Sequence, residues 1–486
     1  MFWVLAPLFS AAQKPSLKLE KQDGTDPVNV VFILSDDHRY DFMGFTGKVP
    51  WLKTPAMDKM AREGAHCENA FVATSLCSPS RASILTGLYP HSHTIVDNSA
   101  PNPGNLVYFP EYLQEAGYQT AFFGKWHMGS HKADPRPGFD HWLSFRGQGE
   151  YYNPTFNING EEVTYQDSAY NADLLTQHAL DWLDGRKKKK PFFMYLSHKS
   201  VHAQFKPAKR HKGQYAKEKL VFPPTYSQTR DNTWVKHDWP KWVKEQRYSW
   251  HGVDYMYHGA HNFDTFFRAY CETLSGMDES IGKVLDYLEE NDLAENTVVI
   301  YMGDNGFSFG EHGLIDKRHM YEESMKVPML VWAPGRVKAG SKVPQMLQNI
   351  DIAPTVLDLA GLQRPDHFQG ESFAPILDEK EVEWRNRVFY EYYWEVYFPQ
   401  TPTTFGVRTD RYKYIMYHGV WDRNELYDLQ EDPYEQNNLI RHPDHQKRVA
   451  AMRNDVFDWL ENTGGMQIPL KRLIGTKRDF IHKGEH

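Results

Sequence analysis

The chain has 486 residues, 41% hydrophobic and 24% charged, a globular balance that excludes disordered, collagen-like and coiled-coil classes. That length predicts about three average domains, or one large α/β domain with a smaller companion. The net charge of −8 argues against a nucleic-acid binder working by bulk charge, but leaves room for a local basic cluster that takes an anion.

In chain order, residues 2–13 (FWVLAPLFSAAQ) come first. They pair a short apolar run with small residues, like the end of a signal peptide that lacks its positive start. This predicts an exported protein, periplasmic or extracellular, with residues 1–27 as a leader. No run of about 18 apolar residues occurs, so no membrane span is expected. Residues 28–35 (VNVVFILS) form a continuous β-branched apolar run, the signature of a buried parallel strand. Thr54-Pro55 opens a helix, with Thr as N-cap and Pro at the first position, and Gly64 closes it. Further strands are predicted at 119–123, 191–197, 297–302 and 327–332, and helices at 171–183, 264–290 and 354–360. Strands and helices alternating in this way predict an α/β fold with a mostly parallel sheet covered on both faces.

Residues 205–262 interrupt the pattern. They carry Pro223-Pro224 and Trp234, Trp239, Trp242 and Trp250 without clear periodicity. This predicts an insertion folded over the sheet edge, suited to walling a pocket with aromatic faces. The catalytic domain is expected over 28–383, with this insertion inside it. From 384 to 486, short β-like runs at 388–398, 405–408 and 412–417 precede a helix at 445–461, which predicts a small α+β subdomain.

Chemistry concentrates at the expected strand ends. Asp36 and Asp37 follow the first strand, and Asp304 and Asn305 follow the run at 297–302. Oxygen ligands of this kind suit Ca²⁺ or Mg²⁺ better than Zn²⁺. The segment CSPSRASILTG at 77–87 places Cys77 just before a helix that begins near Pro79. A helix N-terminus has free N–H groups for an anion, and Arg81 adds a fork-shaped cation. Three cysteines, Cys67, Cys77 and Cys271, cannot form a disulfide framework, which leaves room for a reactive one. Lys125 and His127 follow the strand at 119–123 and could point at an oxyanion. His198 and His202 follow the strand at 191–197. Read as a helical metal pair they conflict with the all-oxygen ligand set. His312, Lys317 and Arg318 follow Asp304-Asn305.

The string Cys77-Ser78-Pro79-Ser80-Arg81 with Thr86-Gly87 resembles the signature of the type I sulfatases. Gly124-Lys125-Trp126-His127, the Asp-Asp and Asp-Asn pairs, and the strings at 315–322 and 90–98 resemble the same family over about residues 28–440. The last two are similar to glucosamine-6-sulfatases and bacterial polysaccharide sulfatases. The resemblance implies an alkaline-phosphatase-like fold and sulfate-ester hydrolysis on a carbohydrate. It also implies Ca²⁺ held by Asp36, Asp37, Asp304 and Asn305, with Cys77 completing the sphere after oxidation to formylglycine by a maturing enzyme. Arg81, Lys125, His127, His202 and Lys317 are the implied catalytic residues, with His202 favoured over His198 at the ester oxygen. His312, Arg318 and His198 are candidates for contact with the sugar. The expected substrate is a sulfated saccharide, cleaved at the 6-position of an end sugar, either N-acetylglucosamine-6-sulfate of a host glycan or galactose-6-sulfate of an algal galactan. A phosphoester or phosphonate hydrolase of the same superfamily stays open as an alternative, and so does a catalytically dead binder of sulfated glycan.

Overall fold

The computed structural model describes residues 16–22, 24, 26–129, 132–226, 238–419 and 422–469, with the 2–13 segment and Trp234 outside them. A ten-stranded sheet forms the centre. In chain order its strands are β1 (Asn29–Ser35), β2 (Ala65–Phe71), β3 (Gln119–Gly124), β4 (His141–Ser144), β5 (Thr155–Ile158), β6 (Glu161–Thr164), β7 (Phe192–Ser197), β8 (Thr297–Gly303), β9 (Met329–Trp332) and β10 (Ser341–Gln348). Their spatial order is β10-β2-β9-β8-β1-β7-β3-β4-β5-β6. The central run β8-β1-β7-β3-β4 is parallel throughout. The predicted strand at 327–332 forms as Met329–Trp332, but it runs antiparallel to both of its neighbours.

The apolar run in β1 is continuous because both faces of the sheet are covered. Val30, Phe32 and Leu34 point into one core, with the helix Ile352–Leu359. Val31 and Ile33 point into the other, with α1 (Pro55–Glu63) and the helices Asn171–Gly185 and Phe263–Glu290. The long helix Phe263–Glu290 buries Phe267, Tyr270, Leu274, Met277, Ile281, Val284 and Leu288 at steps of three and four residues. Its N-cap is Asn262, whose side chain accepts from the Asp264 N–H at 2.9 Å.

A second, four-stranded antiparallel sheet holds β11 (Arg387–Tyr392), β12 (Thr403–Thr409), β13 (Tyr412–His418) and β14 (Glu425–Asp428). It alternates with period two. Val388, Tyr390, Tyr392, Ile415 and Tyr417 face the first sheet's domain beside Leu314 and Met320. Val407 and Tyr414 face the helix Gln446–Thr463 through Val456 and Trp459. Among the described residues no helix is long and apolar enough to cross a membrane.

The described residues of the 205–262 segment pack on the long helix and on the domain of the second sheet. Phe205 packs on Phe266 and Tyr270 of the long helix. Trp239 leans on His312, and Trp242 meets Tyr417 of the second sheet edge-on. Both tryptophans are buried, so they bind the insertion to the second sheet rather than wall a pocket. Trp250 is partly buried and stacks near Phe398.

Candidate active site

The site lies at the carboxyl ends of four adjacent parallel strands, where ligands collect in open α/β sheets. β8 delivers Asp304 and Asn305, β1 delivers Asp36 and Asp37, β7 leads into the loop with His202, and β3 delivers Lys125 and His127. Residues more than 260 positions apart meet because their strands pair in register, Ser35 beside Gly303. Gly124 is required where β3 ends. Its φ is +111°, and a Cβ there would lie 1.9 Å from the Ser197 carbonyl oxygen. That close approach lets the Lys125 N–H donate to the same carbonyl at 2.8 Å.

Cys77 enters from above as the first residue of α2 (Cys77–Thr86), one turn position inside the helix rather than before it. Its thiol lies 3.3 Å from Asp36 Oδ1 and 3.1 Å from Lys317 Nζ. Arg81, one turn later on α2, donates from Nε to Asp304 Oδ2 at 3.0 Å and from a terminal nitrogen to Ser197 Oγ at 2.6 Å. Lys125 Nζ pairs with Asp36, and Lys317 Nζ pairs with Asp37. His202 Nε2 stands 3.9 Å from Asp37 Oδ2, with Nδ1 bonded to the Ala203 carbonyl. His127 Nδ1 lies 3.4 Å from Ser78 Oγ. Asp36, Cys77, Arg81, Lys125, Asp304 and Lys317 are buried, whereas His127 and His202 are half-buried. The site therefore opens to solvent beside its two histidines. Asp37 and His127 both take left-handed backbone angles, φ 57° and 54°. In a non-glycine residue this costs about 1 kcal/mol and is a common mark of functional sites.

Burial alone would raise Asp36, but Lys125, then His202, Arg81 and Lys317, hold it well below the usual carboxylate range. Burial, then Asp36, pushes Asp304 up to about 7. Asp37 is raised by burial against the pull of Lys317. Burial, then Asp36, pushes the Cys77 thiol up to about 12, so the unmodified thiol is protonated and a poor nucleophile. His127 and His202 are held neutral, by burial first and then by Lys125 and Lys317 respectively.

Oxygens of Asp36, Asp37 and Asp304 converge within 4.8 Å of one another. Asn305 donates from its amide nitrogen to Asp37 Oδ1 at 2.7 Å, and its amide oxygen is buried without a hydrogen-bond partner. Three crowded carboxylates and an orphaned carbonyl oxygen fit a hard divalent cation, which would relieve both the repulsion and the missing bond.

Three sequence candidates fall elsewhere. His198 is fully buried and turned away to the long helix, with Nε2 3.1 Å from Ser280 Oγ. His312 is buried, stacked on Tyr321 at 3.8 Å, with Nε2 on the Glu435 carbonyl. Arg318 is clamped by Asp316 at 3.0 Å and Glu395 at 2.8 Å, over the Phe398 ring. These contacts tie His312 and Arg318 to the domains of both sheets. Sequence reasoning missed Ser80, which donates to the Asp304 carbonyl and accepts from Asn349 at 2.9 Å. It also missed Ser197, under Arg81, and Tyr151, whose hydroxyl donates to the His202 carbonyl at 2.7 Å. Ser80 sits inside the 77–87 string and Ser197 ends a predicted strand. Tyr151 carries no local signal.

The family model described as Sulfatase matches residues 28–362, and that of the N-sulphoglucosamine sulphohydrolase C-terminal region matches 310–462. The chain is 31% identical to an N-acetylglucosamine-6-O-sulfatase of Bacteroides thetaiotaomicron, over 95% of this chain and 90% of that protein. It is 33% identical to the human N-acetylglucosamine-6-sulfatase, over 76% and 68% of the two chains. The solved structure of BT4656 in complex with its substrate D-glucosamine-2-N,6-O-disulfate superposes with a TM-score of 0.80 at 30% identity, covering 92% of this chain and all of that one. A family match over more than half the chain, on a fold whose strand ends carry this cluster, places the protein in the sulfatase family.

Proposed function

We propose that this protein hydrolyses the 6-O-sulfate of a sulfated hexose at the end of a saccharide chain. The observation that carries the reading is the Cys77 cluster, where Arg81, Lys125 and Lys317 surround a thiol at a helix N-terminus. The likeness to N-acetylglucosamine-6-sulfatases along the chain supports the regiochemistry. A sulfate monoester is an anion that repels nucleophiles, so fixed positive charge supplies most of the barrier lowering.

Cys77 is the position for formylglycine, installed by a maturing enzyme, and that group would supply the nucleophile for sulfur. Asp36, Asp37, Asp304 and Asn305 would hold Ca²⁺, which supplies further charge to the sulfate oxygens. Arg81, Lys125 and Lys317 bind and orient those oxygens. Asp304 takes the proton of the attacking hydroxyl. His202 Nε2 gives a proton to the leaving sugar oxygen. In the free site Lys317 and Lys125 oppose protonation of His202, and the bound anion offsets them. His127 would act as the base when sulfate is released. We assign catalysis to 28–383, assembly of the second sheet to 384–486, and export to the 1–27 segment.

The test is desulfation of paired saccharides that differ only in sulfate position. Preference for the 6-sulfate at a chain end is expected, and preference for a 2-, 3- or 4-sulfate overturns the regiochemistry. Faster cleavage of an aryl phosphate than of the aryl sulfate would favour the phosphoester alternative.

A further inference from the structure

Lys199 sits on the loop after β7, three residues before His202, and the reaction above does not use it. Its exposure is 6%, yet among the described residues no carboxylate lies within ion-pair distance of it. Its ammonium instead rests over the Tyr151 ring, 4.7 Å from the centroid. The other two lysines at the site are committed, Lys125 to Asp36 and Lys317 to Asp37. Burying a lysine without a carboxylate partner is expensive, and an anionic ligand would offset that cost. Burial, then Lys125, lowers Lys199 to about 8, so the amine remains mostly charged at neutral pH.

The charges acting on Lys199 are those of the site itself, Lys125 and Asp36, then Glu150 and Asp37. It belongs to the His202 side of the site, because one tyrosine holds both residues. The Tyr151 ring carries the ammonium, and its hydroxyl donates to the His202 carbonyl at 2.7 Å. His202 faces the leaving oxygen in the reading above, so the anion available to Lys199 lies on the sugar rather than on the sulfate being cleaved.

We propose that Lys199 binds a second sulfate group on the saccharide whose 6-sulfate is removed, which makes doubly sulfated sugars the preferred substrates. This rests on the 6-O-sulfatase reading. The experiment compares kcat/KM for glucosamine 6-O-sulfate, glucosamine-2-N,6-O-disulfate and glucosamine-3,6-O-disulfate, following 6-desulfation. The wild-type enzyme is expected to prefer one disulfate over the monosulfate by about tenfold or more, the scale of a charge-assisted contact. Lys199→Met is expected to collapse that ratio and Lys199→Arg to retain most of it. A wild-type enzyme without preference for either disulfate overturns the proposal, whether or not the variants fold. So does a Lys199→Met enzyme that slows equally on all three sugars. Failure to remove the 6-sulfate from any of them overturns the 6-O-sulfatase reading as well, and is distinguished by that result.

Discussion

The Cys77 site and the cluster around Glu425 are built from similar parts and do opposite things. Both bury carboxylates among lysines or hydroxyls. Around Glu425 each carboxylate has a hydroxyl or an ammonium beside it: Tyr321 donates at 2.8 Å, and Tyr417 and Tyr427 donate to the same carboxylate. Lys413 bridges Glu322 at 2.8 Å and Glu435 at 2.7 Å. Around Cys77 the groups are also close, but Asn305 keeps an orphaned oxygen, Asp37 and His127 are held at left-handed angles, and Lys199 lacks a carboxylate. A satisfied network contributes rigidity, whereas an incomplete one waits for a ligand.

The largest effect that separates the two regions is on turnover. Cys77→Ala should lose roughly a thousandfold or more in kcat, as loss of a covalent nucleophile does. Its stability should change by only about 1 kcal/mol, because little volume is removed. Activity and urea unfolding of the same sample check both halves. Removal of divalent cations comes next. A chelator should abolish activity and lower Tm, and Ca²⁺ at about a hundred times its Kd should return about 2.7 kcal/mol of stability. Stoichiometric Zn²⁺ in place of Ca²⁺ would contradict the oxygen-ligand assignment.

At the second region the signs reverse. Lys413→Met leaves Glu435 buried without its cation, while Arg408 still holds Glu322 at 3.3 Å, and should cost about 3–5 kcal/mol in unfolding experiments. Activity per folded molecule should stay close to wild type, since Lys413 touches no site residue. The smallest effect is the pH dependence carried by Glu425. Burial raises it to about 7, against the three tyrosine hydroxyls that lower it. A glutamate in the unfolded chain titrates near 4.3. Between those values the folded state binds more protons than the unfolded one, so this group's contribution to stability falls as pH rises from about 4 to about 7. Glu425→Gln should flatten that part of the stability profile, by at most ~1.4 kcal/mol per pH unit. An unchanged slope would show that Glu425 titrates normally.

Much of the architecture was legible in the residues because its causes are local. A strand buried on both faces must be apolar along its middle, and 30–34 displays this without reference to any partner. The helix at Pro55 is announced by its own first residue, and its end by Gly64. Residue chemistry at strand ends likewise names the oxygen ligands and the cations. The direction of β9 was not legible, because four apolar residues pack equally well either way and only the chain's route to them sets the orientation. The partners of the aromatic insertion were not legible for a related reason. Tryptophans without periodicity carry no address; Trp239 meets His312 and Trp242 meets Tyr417.

The alternating α/β plan, the carboxylates and amide after two strands, and the string around Cys77 can be read from the chain alone, since each element or motif is local. Which polar side chains meet depends on packing. His198 and His202 are four residues apart, yet Ser280 takes one into the core while Asp37 lies beside the other. His312 and Arg318 neighbour Lys317 in the chain, but Tyr321, Glu435, Asp316 and Glu395 hold them. Lys199 looks like any loop lysine until burial removes its solvent and leaves it an aromatic ring instead of a carboxylate. The physical reason is that burial sets the energetic weight of a polar group, and burial at these loops is imposed by segments far away in the chain.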